Sequence, residues 1–342
     1  MKRIVLGLIL TFANVAAAQN IELQEAKNLF NEGEIQKSVD ILQRLVVTRT
    51  LSPQDYIDAN EYLAVAYVST NQDAAAEEIF TQVLKKKADY KPSDNWWPHQ
   101  RLMTSYYKTV QNLGGSLELQ AGPGIQTIAF MDFENNSFED AEKYANLGNA
   151  LSKILISDFG VVSDLRIVER ERLQYLISEL ELTDKKVGGQ NIMDPAMAPR
   201  VGKLLGAHSF VFGSFIRMGK VFRIDARLVK TETGEIFKTA SVEGKPDNVF
   251  ELAKKLTLEI TKNLGLAIEK TEREKLDKMG KDNIPIEAVA LLGDAMSMAN
   301  QEEYKVALAK LEDALKIAPD FPKAQDMLAV IRPLALNKFA AN

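Results

Sequence analysis

The chain has 342 residues, with 42 Lys plus Arg against 47 Asp plus Glu, two histidines and no cysteine. That length predicts two or three domains, and the missing cysteine excludes disulfides, thiolate metal ligands, a cysteine nucleophile and a thioether-linked lipid anchor. A net charge of −5 argues against a surface that binds nucleic acid as a whole.

Residues 1–18 read as a secretory signal. Lys2 and Arg3 precede the apolar run Ile4 to Val15, and Ala16-Ala17-Ala18 supply small residues ahead of Gln19. The run is too short to span a bilayer. Cleavage before Gln19 leaves 40 basic against 47 acidic residues, a net charge of −7. The expected location is the periplasm, free or peripheral to the outer membrane.

Residues 19–112 predict a tetratricopeptide-like helical domain. Ala26, Leu29, Ser38, Leu42 and Leu45 recur 38 residues later as Ala64, Tyr67, Ala76, Phe80 and Val83. Small residues let two antiparallel helices approach, and larger ones fill the groove between them. The usual period is about 34, so an extra loop is expected around Thr50-Leu51-Ser52-Pro53, and a helix from Pro98 to Asn112 would cap the array. Asn60, Tyr67 and Asn71 lie on the first helix of the second repeat and just after it, which makes them candidate partner-binding residues. His99, in Trp96-Trp97-Pro98-His99, is read as part of a packed aromatic cap or as a ligand in an aromatic cluster. Lys85-Lys86-Lys87 reads as a solvated helix end.

Leu113-Gly114-Gly115 and Ala121-Gly122-Pro123-Gly124 mark residues 113–124 as a linker. From 125 to 266 the pattern changes. Ile125–Phe133 predicts a strand, 138–158 a helix, Leu165–Val168 a strand and Glu169–Leu182 a helix. Asp194-Pro195 opens a third helix, with Asp as cap and Pro in the first position, and Gly206 closes it. Three strands follow at Ser209–Arg217, Val221–Lys230 and Glu235–Val242, then a long helix from Asp247. In the second of these strands Phe222, Ile224, Ala226 and Leu228 alternate with Arg223, Asp225 and Arg227, which predicts one buried face and one that is wet or contacts a partner. The fold class is therefore α+β, a mixed sheet packed with helices in the middle and all-α repeats at both ends.

A charged helical linker, 267–283, leads to a last repeat with a capping helix at 284–342. Leu291, Ala295 and Met298 fall on one helix and Ala307, Leu311, Ala314 and Pro319 on the next, with Lys323 to Leu334 as the cap. A lone repeat needs a neighbour, so it is expected to dock on the rest of the chain or on a partner.

Several segments between 125 and 265 together resemble the CsgG (curli production assembly/transport) family. They are Ile128-Ala129-Phe130-Met131-Asp132-Phe133-Glu134-Asn135, Leu165-Arg166-Ile167-Val168-Glu169-Arg170-Glu171-Arg172-Leu173, Gly202-Lys203-Leu204-Leu205-Gly206-Ala207, Val211-Phe212-Gly213-Ser214-Phe215 and Leu228-Val229-Lys230-Thr231-Glu232-Thr233-Gly234-Glu235. The resemblance implies a fold shared with other periplasmic domains, and fold alone does not choose a role. It also implies, for secretion subunits, a lipid anchor on an N-terminal cysteine, which this chain lacks. Such subunits further carry two long hairpins that pool into an outer-membrane barrel. Membrane hairpins need at least about 20 residues each, whereas the corresponding connections here are Met218-Gly219-Lys220 and Glu243-Gly244-Lys245-Pro246.

Asp132 and Glu134, two apart on one strand, are candidates for a cation site or a carboxylate pair, with solvation at a strand end as the plainer reading. His208 opens a strand and is read as structural. Glu169, Arg170, Glu171 and Arg172 match a family segment and, at a helix start, read as caps and surface pairs. Gly122-Pro123-Gly124 and Val187-Gly188-Gly189-Gln190 lack the lysine and the strand-to-helix setting of a phosphate loop. No catalytic, cofactor or metal site is expected. The function expected is a non-enzymatic periplasmic scaffold that binds partner proteins of the envelope and can self-associate, without nucleic acid and without an integral membrane segment. The alternatives are a ring-forming outer-membrane secretion component and an enzyme built on Asp132 or Glu134.

Overall fold

Small residues at the helix crossings set the architecture of the N-terminal region, residues 19–112. The computed structural model describes residues 19–48, 51–93, 96, 99–180, 183–187, 190–279 and 284–337. The expected signal and its cleavage site, Thr50, Trp97-Pro98, Gly188-Gly189 and the end of the charged linker lie outside them. Helices α1 (19–31), α2 (Ile35–Val47), α3 (Pro53–Ser69), α4 (Asp73–Lys86) and α5 (Gln100–Asn112) follow one another. Ala26, Ser38, Leu42, Leu45 and, 38 residues on, Ala64, Ala76, Phe80 and Val83 are all buried. At the first crossing the helices are close enough for Ser38 Oγ to donate to the Ala26 carbonyl at 2.8 Å. The two hairpin turns also keep the interval. Gly33 and Asn71 both take left-handed φ angles, +77° and +60°. The longer period comes from the 17-residue α3, which is capped by Ser52 and opened by Pro53.

The chain divides into two compact units, residues 1–115 with 329–342, and residues 116–328. In the second unit a six-stranded sheet runs in the order β3-β1-β6-β7-β8, with β2 also paired to β6. The strands are β1 (Gln126–Phe130), β2 (Glu134–Asn135), β3 (Leu165–Ile167), β6 (Ser209–Met218), β7 (Val221–Lys230) and β8 (Ile236–Gly244), and β4 (Thr183–Val187) with β5 (Gln190–Met193) form a separate hairpin. β1 and β2 lie parallel to β6, while β6, β7 and β8 are antiparallel. The mixed sheet expected from the sequence is therefore present. The β4–β5 hairpin was not expected. The helices are α6 (Leu147–Phe159), α7 (Arg170–Glu179), α8 (Ala198–Leu205), α9 (Val249–Asn263), α10 (Lys270–Lys278), α11 (Ile286–Asn300), α12 (Tyr304–Ile317) and α13 (Pro322–Ala335), the last crossing the division between units.

Two expectations need correction. The helix predicted over 138–158 begins only at Leu147, because side chains hold 135–141 in another shape. Asn135 Oδ1 accepts from Ser137 N and its Nδ2 donates to the Ala141 carbonyl, while Asp140 sits at φ +53°. Side chain–backbone bonds of this kind compete with helix. The supposed linker also joins the sheet unit from residue 116. Leu117 is buried, Leu119 N donates to the Leu205 carbonyl, and Arg172 Nη1 donates to the Leu117 carbonyl.

The last hairpin, α11–α12, falls within the sheet unit. Gly293 of α11 lies against the α6 N-terminus so closely that a Cβ there would sit 2.2 Å from the Asn146 carbonyl oxygen. Asn146 Nδ2 donates to Asp294 at 2.9 Å, and Tyr144 Oη donates to Glu287 at 3.2 Å.

Candidate functional site

In the repeat array the three predicted partner-binding residues stand in different settings. Asn60 is fully buried in α3, its Nδ2 donating to the Tyr56 carbonyl at 2.7 Å and its Oδ1 enclosed without a partner. It presents no surface to a partner, because α3 is covered on that side. Tyr67 is half-buried, and its hydroxyl accepts from Gln43 Nε2 at 2.7 Å across the helix pair. Asn71 holds the turn in its left-handed conformation and accepts from Arg101 Nη1, while the same guanidinium grips Asp73. The three therefore do not form one patch. Tyr67 is the one whose ring is partly open.

The segment after α4 is bound to α3 by Glu61. This buried carboxylate accepts from Tyr90 Oη at 3.1 Å and Ser93 N at 2.9 Å. Burial pushes its pKa up, while hydrogen bonds from Ser93, Tyr90 and Trp96 pull it back. Trp96 packs edge-on against Phe30 and Tyr62, with centroids 5.9 and 5.3 Å away. His99 is completely buried, accepts from Leu102 N as the cap of α5, and lies 3.4 Å from Ser69 Oγ. Burial, aided by the nearby Arg101 charge, lowers its pKa to about 4. At neutral pH the ring is an uncharged part of a packed cap.

In the sheet unit the sequence segments that looked like surface chemistry fold inward. Asp132, just after β1, takes both Arg170 nitrogens, Nε at 3.1 Å and Nη2 at 3.0 Å, in an ion pair whose side chains are 8% and 7% exposed. Glu134 is exposed on β2. The two carboxylates expected as a pair therefore stand in different settings, Asp132 held by Arg170 and Glu134 exposed. Arg170, Glu171 and Arg172 are all buried, which corrects their reading as surface pairs. Arg172 also bridges Glu169 at 2.7 Å. The missed signal was helical spacing, since Arg170 shares a face with Leu173 and Ile177, both buried.

Phe133 explains two glycines of the sheet unit, Gly213 on β6 and Gly148 on α6. Its ring lies on β6 where a Gly213 Cβ would sit 2.1 Å from it, and its carbonyl lies where a Gly148 Cβ would sit 1.7 Å away. A side chain at Gly148 would collide with that backbone, and one at Gly213 would have to displace the buried Phe133 ring. His208 fastens β6 to β1. Its Nδ1 accepts from Thr127 N at 3.0 Å, its own N–H donates to Thr127 O at 2.9 Å, and Thr127 Oγ1 donates to the Gly206 carbonyl. The structural reading of His208 agrees with this placement.

Among the described residues no group of three or more His, Asp or Glu side chains is arranged to hold a metal ion, and no helix is long and apolar enough to cross a membrane. The β6–β7 connection is a tight turn at Gly219 and Lys220, with Met218 opposite Val221, and β8 passes through Lys245 into a short helical turn.

No curated protein matches the chain. Among solved structures, the LpoB C-terminal domain from Salmonella enterica aligns at 16% identity over 45% of this chain and 99% of that one, with a TM-score of 0.29. Residues 116–223, from the docked segment ahead of β1 into β7, match the family model of the curli production assembly/transport component CsgG.

Proposed function

We propose that this chain is a non-enzymatic adaptor of the bacterial cell envelope, exported to the periplasm, which binds partner proteins through its helical array and its CsgG-type domain. The observation that carries this reading is the CsgG match over 116–223 in a chain that also has an array of paired helices. The family's name places its members in assembly and transport, and stacked helical hairpins present extended binding surfaces. Asp132 supports the non-enzymatic reading because its charge is committed to Arg170 rather than to a cleft. In the array, Tyr67 is the first candidate contact, with Asn71 at its edge shaping the turn and Asn60 acting through the packing of α3.

A ring-forming export component is the second reading, favoured by the family's description as a transport component. The tight β6–β7 turn and the direct passage from β8 to α9 weigh against it, because neither connection has the length of a membrane hairpin.

Reversible crosslinking in intact cells, followed by purification of the exported chain, tests the first reading. The expected result is a discrete envelope partner that is lost when residues 20–112 are deleted. Recovery of the chain from the cytoplasm, or a partner set unaffected by the deletion, overturns it.

A further inference from the structure

The last turns of α13 belong with the N-terminal array. Residues 329–342 form one compact unit with residues 1–115, and inside that unit the end of the chain lies against the turns that follow α1 and α3. Leu336 packs on Gly33 so closely that a Cβ there would sit 2.8 Å from both the Leu336 Cβ and its carbonyl oxygen. Asn337 Nδ2 donates to the Ser69 carbonyl at 3.4 Å. Val330, Ile331, Leu334, Ala335 and Asn337 are buried, while Arg332 is exposed. Apolar residues gathered on one side at helical spacing are what a helix presents when it lies in a groove.

Three features set this segment apart from the helices of the array itself. The whole sheet unit intervenes between them in the chain, so the repeat does not supply it. Pro333 stands inside α13 and has no N–H to give the Ala329 carbonyl. Ala329 is also the residue at which the array unit resumes, so the helix is weakest where the segment begins. Ser69, finally, is two residues from Tyr67 and two from Asn71, which puts the end of the segment beside the candidate partner contacts.

We infer that the array has a groove for an amphipathic helical segment of a partner protein, with apolar residues spaced as Ile331, Leu334 and Ala335, and that residues 329–337 fill this groove in cis. A partner segment enters by displacing them. The inference rests on the reading of the array as the partner-binding part of the chain. A segment tied to its own site acts at an effective concentration of about millimolar. With a dissociation constant of about 10 μM in trans, it lowers a competitor's apparent affinity about 100-fold.

A fluorescent peptide of residues 322–337, followed by anisotropy, tests this on the full exported chain. Ile331→Asp with Leu334→Asp should expel the segment, and this variant should bind the peptide about 100-fold more tightly than wild type. The same two substitutions placed in the peptide should abolish binding. Gly33→Asn added to the variant keeps a residue suited to the left-handed turn but puts a Cβ where Leu336 packs, and should abolish binding too. Equal binding by wild type and variant, or none by a variant whose helical signal and thermal unfolding are unchanged, overturns the inference. Loss of the array's fold in the variant also overturns it, since the segment is then part of that fold and not its ligand. A wild-type dimer that the two Asp substitutions convert to monomer assigns the groove to a second copy's segment and overturns closure in cis. Peptide binding as expected, with no envelope protein captured by the chain, upholds the groove and defeats the adaptor reading, so the two fail separately.

Discussion

The hairpins α3–α4 and α11–α12 are written in one grammar and packed against different neighbours. Aligned at Ala64 and Ala295, they share a buried small residue at the crossing, Ala76 and Ala307, and a buried large one, Phe80 and Leu311. They also share a left-handed turn residue, Asn71 at φ +60° and Glu302 at φ +64°. The difference between them lies two residues before the aligned alanine. Tyr62 there meets Phe30 and Trp96 in an aromatic trio, whereas Gly293 lies on the backbone of Asn146. The periodic positions encode the hairpin, and a residue off the period chooses its neighbour. One hairpin thereby belongs to the helical array, and the other is built into the sheet unit.

The largest expected effect lies away from both hairpins and sets the scale for them. Asp132→Ala leaves Arg170 charged and buried, and urea denaturation should show a loss of about 3–5 kcal/mol. Adding Arg170→Met should restore most of that loss, since a well-packed apolar residue replaces the orphaned charge. A double variant as weak as the single one would mean that the pair does more than balance itself.

Next come the residues on which the comparison turns. Gly293→Val should cost about 3 kcal/mol, because its side chain must push α11 away from Asn146. Tyr62→Ala, at the equivalent position of the other hairpin, should cost about 2 kcal/mol through the lost aromatic packing. Equal costs in denaturation would show that the two positions are interchangeable and that the distinction drawn between the hairpins is wrong.

The two units should also differ in their response to pH. Asp158, on the helix that α11 packs against, is buried with one carboxylate oxygen unpartnered. Burial raises its pKa to about 7, against the pull of Lys323 and Lys254. A raised acid favours the folded state at low pH, so the sheet unit should lose stability as pH climbs from about 4 to 7. Asp158→Asn should remove this loss, gaining about 2–3 kcal/mol near pH 8 and little near pH 4. His99 in the array works the other way. Its pKa is held down at about 4, so its contribution is present above about 6.5 and lost as pH falls towards 4. Glu61, raised by burial, partly offsets that acid loss. Thermal unfolding followed at several pH values should therefore show the array weakening as pH falls from about 6.5 towards 4 and the sheet unit weakening as pH rises from about 4 to 7. A single transition that moves one way with pH would contradict this.

How far the sequence could be read follows from the same physics. Val221–Lys230 was legible to its ends because one face is dry and the other wet, and alternation records that directly. The hairpins were legible because small and large residues recur at helical spacing. The start of α6 was not, since Asn135 and Asp140 hold the chain through side-chain bonds that no periodicity reports. The buried Asp132–Arg170 pair was missed for a related reason: charge is usually a surface signal, and only the partner across 38 residues turns it inward. The split between a buried Asn60 and a half-open Tyr67, seven residues apart on α3, depends on what covers the helix and not on the helix itself.

The central claim is that the N-terminal array carries the partner surface and that α11–α12 serves the sheet unit. Tyr67 and Met298 occupy equivalent places in the two hairpins and are both half-buried. A photo-crosslinking amino acid placed at one or the other in the exported chain should capture a foreign envelope protein from position 67 and none from position 298. Equal capture from both, or capture from 298 alone, would contradict the account.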